Sequence, residues 1–114
     1  MQRFFHPETA QSLDILGVLL GAQGEPAIGR ALLERALDIR ERVLGSEHPE
    51  TAYNLHNLGL LLQAQGELAA AKALFERALD IRERVLGTDH PDTATTRGSL
   101  AELARNPTSA SSAT

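Results

Sequence analysis

The sequence contains no cysteine and no tryptophan, and its aromatic residues are one tyrosine and three phenylalanines among 114 residues. Without cysteine the chain has no disulfide bond, no thiolate nucleophile and no cysteine-based metal site. Few aromatic rings and a formal net charge of −4 disfavour nucleic acid, which is bound through basic patches and base stacking. No apolar run approaches the ~20 residues of a membrane span. We therefore expect no nucleic acid partner, no membrane partner and a cytoplasmic location.

The sequence does contain an internal repeat with a period of 42 residues. The motif HPETA at residues 6–10 recurs at 48–52, and HPDTA follows at 90–94. Residues 6–47 and 48–89 are identical at 29 of 42 positions, a match that chance does not produce. The chain is thus built from copies of one structural unit.

The third copy is incomplete, because the final NPTSASSAT has no apolar period and is typical of a disordered tail. This gives two full repeats and a half-repeat. The predicted boundaries are an N-terminal lead-in over 1–5, an α-solenoid over 6–105 with repeats 6–47 and 48–89 and half-repeat 90–105, and a disordered tail over 106–114.

Each repeat has the apolar spacing of two amphipathic helices, which we name helix A and helix B. The helix A stripe consists of Leu13, Leu16, Gly17 and Leu20, and of Leu55, Leu58, Gly59 and Leu62. An AQGE segment ends helix A, with Gly24 or Gly66 suited to a left-handed cap, and helix B follows over 26–44 and 68–86. No segment has a strand pattern. The fold class is therefore all-α, and hairpins that cannot bury their apolar faces alone are expected to stack as a helical-hairpin solenoid.

These residues resemble the tetratricopeptide repeat (TPR) family. Leu58 and Gly59 match the Leu-Gly pair of that family, and Ala71, Phe75 and Ala78 match its second-helix signature. The 42-residue period, the LDIRERVLG ending and the HPxTA restart are similar to the kinesin-light-chain type of this repeat. The resemblance implies a non-catalytic scaffold for protein binding, with a partner peptide or protein segment in the groove lined by helix A of each repeat.

Differences between the two copies concentrate on one side of helix A. Five of the six differing positions follow the spacing i, i+3, i+4, i+7 and i+10, opposite the apolar stripe. The resemblance implies that this side lines the groove, where Asn57 matches an asparagine able to bond a peptide backbone. The candidate partner-binding residues are Gln11, Asp14, Ile15, Val18, Tyr53, His56, Asn57, Leu60, Gln63, Ser99 and Glu102. The alternative that stays open is a solvated face without function, although Tyr53, Val18 and Leu60 are more apolar than such a face needs.

The residues with catalytic or metal-binding chemistry have structural explanations. His6, His48 and His90 occupy equivalent points of stacked repeats, about 10 Å apart, whereas zinc requires ligand atoms ~2 Å from one centre. We expect them to cap helices or to lie in loops. The sequence contains no HExxH, EF-hand, GxSxG or phosphate-binding glycine motif. We therefore expect no cofactor, no metal and no enzymatic activity.

Gly29 stands where the family usually has alanine and where the second repeat has Ala71. A glycine inside a helix costs about 0.5 to 1 kcal/mol relative to alanine, so the sequence predicts that Gly29→Ala stabilises the chain. Destabilisation would instead mean that the two helices of the first repeat approach too closely for a methyl group.

The N-terminal edge is a candidate for self-association. MQRFF precedes the first hairpin, and Phe4 and Phe5 are apolar residues in a normally polar loop. They either fold back as a lid or mark the edge of a larger protein. We expect a homodimer through this edge, in which two first hairpins meet. The alternative to groove binding is accordingly a structural segment of a longer repeat protein that stacks through its ends.

Overall fold

A computed structural model describes residues 7–105, and these form five α-helices and no strand. The helices are α1 (Pro7–Ala22), α2 (Pro26–Leu44), α3 (Pro49–Ala64), α4 (Leu68–Val85) and α5 (Pro91–Arg105). The all-α fold is as predicted: α1 with α2 and α3 with α4 are helix A and helix B of the two repeats. Helix α5 is the third helix A. The predicted lead-in and tail lie outside the described residues, as do His6 and the pair Phe4 and Phe5.

Proline and glycine set the helix bounds. Helices α1, α2, α3 and α5 begin at a proline, whose fixed φ and missing N–H suit the first helical turn. Gly24 and Gly66 lie in the two hairpin turns with φ of 89° and 83°, the left-handed region that glycine enters without strain. None of the five helices is long and apolar enough to cross a membrane.

The helices form two layers. Helix α1 packs on α2 and α3 on α4 within the hairpins, while α2 contacts α3 and α4 contacts α5 between repeats. Helix α1 also contacts α3, so the A helices lie side by side. The exposed surface that α1 and α3 form together is called the helix-A face below. The largest of three core clusters in the described residues consists of Leu33, Leu58, Leu61, Leu62, Ala71, Phe75 and Leu103.

The predicted apolar stripe is buried in the second repeat but only partly in the first. Leu55, Leu58 and Leu62 are all buried in α3, where α2 covers the outer side of the helix. Leu16, the counterpart of Leu58, is 48% exposed. No helix precedes α1 within residues 7–105, so α1 has no counterpart there of the contact that α2 makes with α3.

The two helices of the first hairpin meet backbone to backbone at Gly17 and Gly29. A Cβ atom added to Gly29 would lie 2.6 Å from the carbonyl oxygen of Gly17 and 3.1 Å from the nitrogen of Gly21. Both are backbone atoms, which move only if a whole helix moves. The expectation that Gly29→Ala stabilises the chain is therefore wrong.

In the second hairpin a larger side chain lies between the two helices at the equivalent contact. Phe75 replaces Leu33 of the first repeat, and a Cβ atom at Gly59 would lie only 2.7 Å from Cε1 of its ring. The glycine thus admits the aromatic ring between the helices. Because the ring separates them, Ala71 fits at the place that Gly29 holds in the first hairpin, and it is fully buried there.

We expect Gly29→Ala to lower the free energy of unfolding by about 1 to 3 kcal/mol, as overpacking of a tight contact does. Gly98→Ala is the matched control, because a Cβ atom at that helical glycine meets nothing within 4 Å. The control should raise stability by about 0.5 to 1 kcal/mol. Urea unfolding of both variants checks the prediction, and equal stabilisation by both would contradict it.

Candidate functional site

The candidate partner-binding residues divide into a surface set and a buried pair. The exposed members are Gln11, Ile15, Val18, Tyr53, Leu60 and Glu102, and the half-buried members are Asn57, Gln63 and Ser99. Asp14 and His56 are only 2% and 6% exposed. Their predicted assignment to the partner-binding surface is corrected here: both point into contacts between helices and are shielded from a partner.

Asp14 belongs to a buried polar network that joins α1, α2 and α3. One carboxylate oxygen accepts a hydrogen bond from Nη1 of Arg40 at 3.1 Å, and the other accepts from Nδ2 of Asn54 at 2.7 Å. Arg40 also donates to Oδ1 of Asn54 at 2.6 Å. Burial raises the pKa of the Asp14 carboxyl, an effect that the charge of Arg40 opposes. The network ties the first repeat to the second.

The same three positions, 42 residues later, form a network without a carboxylate. His56, Arg82 and Thr96 replace Asp14, Arg40 and Asn54 respectively. The hydroxyl of Thr96 lies 3.2 Å from Nδ1 of His56 and accepts from Nη1 of Arg82 at 2.7 Å. Arg82 also donates to the carbonyl oxygen of Asp92 at 3.1 Å.

Burial favours the uncharged form of the histidine in the second network. Burial, reinforced by the positive charge of Arg82, lowers the pKa of His56 from 6.5 to about 4, while Asp92 opposes the shift. Burial also lowers the pKa of the Arg82 guanidinium. His56 further packs against Phe75, with 5.2 Å between the ring centroids. The second inter-repeat contact thus holds a buried cation among uncharged hydrogen-bond partners.

The sequence carried a signal for these networks. Leu33, Ala36 and Arg40 follow the spacing i, i+3 and i+7, which places the arginine on the buried stripe of helix B. Arg82 has the same place in the second repeat. An arginine on a core stripe requires buried polar partners. In the structure these partners are polar side chains of the adjoining helices: Asp14 and Asn54 for Arg40, and Thr96 for Arg82.

An open apolar pocket lies between α1 and α3 on the helix-A face. Its volume is about 210 Å³. The lining residues are Val18, Gly21, Ala22, Leu33, Asn57, Leu60, Leu61 and Ala64. A cavity of about 150 Å³ already holds benzene, so the pocket accommodates one apolar side chain.

Asn57 supplies the polar group of this pocket. Its Nδ2 atom is buried and makes no hydrogen bond to a described atom. The amide lies near enough to Asp14 to help lower the pKa of that carboxyl. The site therefore combines one apolar cavity with one half-buried amide side chain.

The repeated histidines act as helix caps. Nδ1 of His48 accepts from the backbone N–H of Glu50, and Nδ1 of His90 accepts from that of Asp92, both at 3.0 Å. The expected capping role is confirmed for these two residues. Across residues 7–105, no three His, Asp or Glu side chains lie close enough to share a metal ion.

The model of the tetratricopeptide repeat family matches residues 8–84 and 54–106, which together span most of the chain. The chain therefore belongs to the tetratricopeptide repeat family. Repeats of this family are generally protein-interaction modules and are typically non-catalytic. A comparison with curated proteins finds no match.

The chain is also similar to a crystal structure of nearly identical TPR-like repeats of the kinesin light chain type from Podosopora anserina. The TM-score is 0.79 at 28% sequence identity, over 92% of this chain and 51% of that chain. The chain thus spans about half the length of the protein it matches. This likeness confirms the kinesin-light-chain-like repeat and the all-α repeat fold.

Proposed function

We propose that the chain binds a segment of a partner protein along the helix-A face, with one apolar side chain of that segment in the pocket between α1 and α3. The observation that carries the proposal is the open apolar pocket itself, whose lining includes one polar side chain, Asn57. A peptide backbone supplies a carbonyl oxygen at every residue. One bound segment would therefore fill the cavity and offer hydrogen-bond partners to the accessible part of the Asn57 side chain.

The lining of the pocket favours a peptide over a metabolite. Sites for small molecules usually measure about 300 to 1,000 Å³, more than this pocket offers. Its lining residues carry no charge and no titratable group. The anchoring residue of the partner is therefore uncharged and apolar, and the pocket has no group for acid or base catalysis.

The test uses peptides selected from a random display library on the purified chain. We expect Val18→Glu or Leu60→Glu to weaken binding of the selected peptides at least about tenfold, because an apolar anchor in the pocket would remove the new carboxylate from water. Val43→Glu and Val85→Glu are matched controls on helix B, where the valines are comparably exposed. The controls should bind as tightly as the wild type.

Asn57→Ala tests the polar half of the site. Loss of one hydrogen bond of about 0.5 to 1.5 kcal/mol should weaken binding about 2- to 10-fold. Substitutions of Tyr53 and His56 are less suitable tests of binding, because both side chains make contacts within the fold. The Tyr53 ring lies over the Arg40 guanidinium at 5.9 Å, and His56 is buried. Peptides that bind the wild type, the pocket variants and the controls equally would rule out this site.

A further inference from the structure

The residues that line the pocket between α1 and α3 differ from the equivalent residues between α3 and α5, which also contact each other. Three lining residues are smaller than their counterparts 42 residues later: Val18 against Leu60, Gly21 against Gln63, and Leu33 against Phe75. On the other wall of the pocket, Leu60 corresponds to the exposed Glu102 of α5. The counterpart of the pocket therefore carries larger side chains and a carboxylate.

Gly21 is the position from which a side chain would enter the pocket. A Cβ atom added to Gly21 would lie 2.7 Å from Cδ1 of Leu61, which lines the same pocket. It would meet no atom of α2 within 4 Å, so the close contact between α1 and α2 does not require glycine at this position. The glycine instead keeps the space beside Leu61 open.

We propose that Gly21 sets the size of the partner side chain that the pocket accepts, an inference that rests on the proposed function. With glycine there, the cavity of about 210 Å³ admits an uncharged anchor the size of leucine, methionine or phenylalanine, since about 150 Å³ already holds benzene. Any side chain at position 21 shares that space with the anchor. Between α3 and α5 the same anchor is disfavoured, because it would remove the Glu102 carboxylate from water. The partner segment is therefore held in one register, with its anchor between α1 and α3.

A double-mutant cycle between the chain and a peptide selected from the display library tests the proposal. One change is Gly21→Ala, and the other replaces the apolar anchor of the peptide, identified by alanine scanning, with alanine. Gly21→Ala should weaken binding of the parent peptide at least about fivefold, because the added methyl group overpacks the filled cavity. It should weaken binding of the alanine peptide less than about twofold, because that peptide leaves the space empty.

Gly98→Ala is the matched control, because a Cβ atom at that helical glycine meets nothing within 4 Å. It should bind both peptides as the wild type does. A second library selection, performed on the Gly21→Ala chain, should return anchors smaller than those selected on the wild type. Urea unfolding verifies that the variants remain folded.

The outcomes separate this inference from the proposed function. A parent peptide that binds Gly21→Ala as tightly as the wild type, or equal losses for the two peptides, overturns the size limit set by Gly21. The proposed function survives that result if Val18→Glu still weakens binding. Peptides that are indifferent to Val18→Glu and to Gly21→Ala overturn both, because the pocket then takes no part in binding.

Discussion

Asp14→Ala is expected to lower the free energy of unfolding by about 3 to 5 kcal/mol, the usual effect of removing one partner from a buried ion pair. The side chains of Asp14 and Arg40 are 2% and 5% exposed, so water cannot replace the lost carboxylate. Asn54 also loses the acceptor of its Nδ2. Chemical denaturation of the variant and the wild type at neutral pH measures the difference.

The exposed pair of Asp38 and Arg42 is the matched control. It has the same residue types four positions apart on α2, with 3.0 Å between charged atoms, and both side chains are more than half exposed. Asp38→Ala should change stability by at most about 0.5 kcal/mol. Equal effects of the two substitutions would show that another group compensates Arg40, and Glu50 is the nearest candidate, with Oε1 3.7 Å from Nε.

The second repeat suggests a double substitution that replaces the Asp14 network of the first repeat without leaving Arg40 unpartnered. Asp14→His together with Asn54→Thr reproduces the arrangement of His56, Arg82 and Thr96. This double variant should lose less stability than Asp14→Ala, because the arginine keeps a hydroxyl acceptor and the space is filled. The stability changes caused by substitutions within one network do not add, so the double variant has to be measured directly.

Local periodicity was sufficient to predict the helices. Helix B was expected over 26–44 and is observed at Pro26–Leu44, because Pro26 and the apolar spacing are local signals. Because the two repeats are so similar in sequence, a helix predicted in one repeat was also predicted at the equivalent residues of the other. The exposed positions of Ile15 and Leu60 on the helix-A face also follow from the helical period.

The contacts between helices could not be predicted in the same way. The period of one helix places Asp14 and His56 opposite the apolar stripe, but it does not show that a third helix covers these positions. The close approach at Gly29 depends on the volume of Leu33 compared with Phe75, a difference that acts across two helices. The pocket beside Asn57 likewise exists because α1 contributes small residues, Gly21 and Ala22, facing α3.

The network around His56 is expected to make folding sensitive to acid. In the folded chain the pKa of His56 is lowered from 6.5 to about 4, mainly by burial and further by Arg82. Between these values the unfolded chain binds a proton at His56 and the folded chain does not, so stability falls as the pH is lowered. A shift of this size corresponds to a loss of about 3 kcal/mol between about pH 7.5 and about pH 4.

His56→Gln isolates this contribution, because glutamine does not titrate and retains groups that can bond Thr96. The contribution of Asp14 has the opposite sign: its raised pKa makes the folded chain bind a proton first, which favours folding as the pH falls. Asp14 is common to both proteins, so the difference between their pH profiles reports His56. We expect that difference to grow by about 3 kcal/mol towards acid, measured by urea unfolding. Parallel profiles, or an NMR titration of the His56 ring with a midpoint near 6.5, would contradict the buried, uncharged histidine.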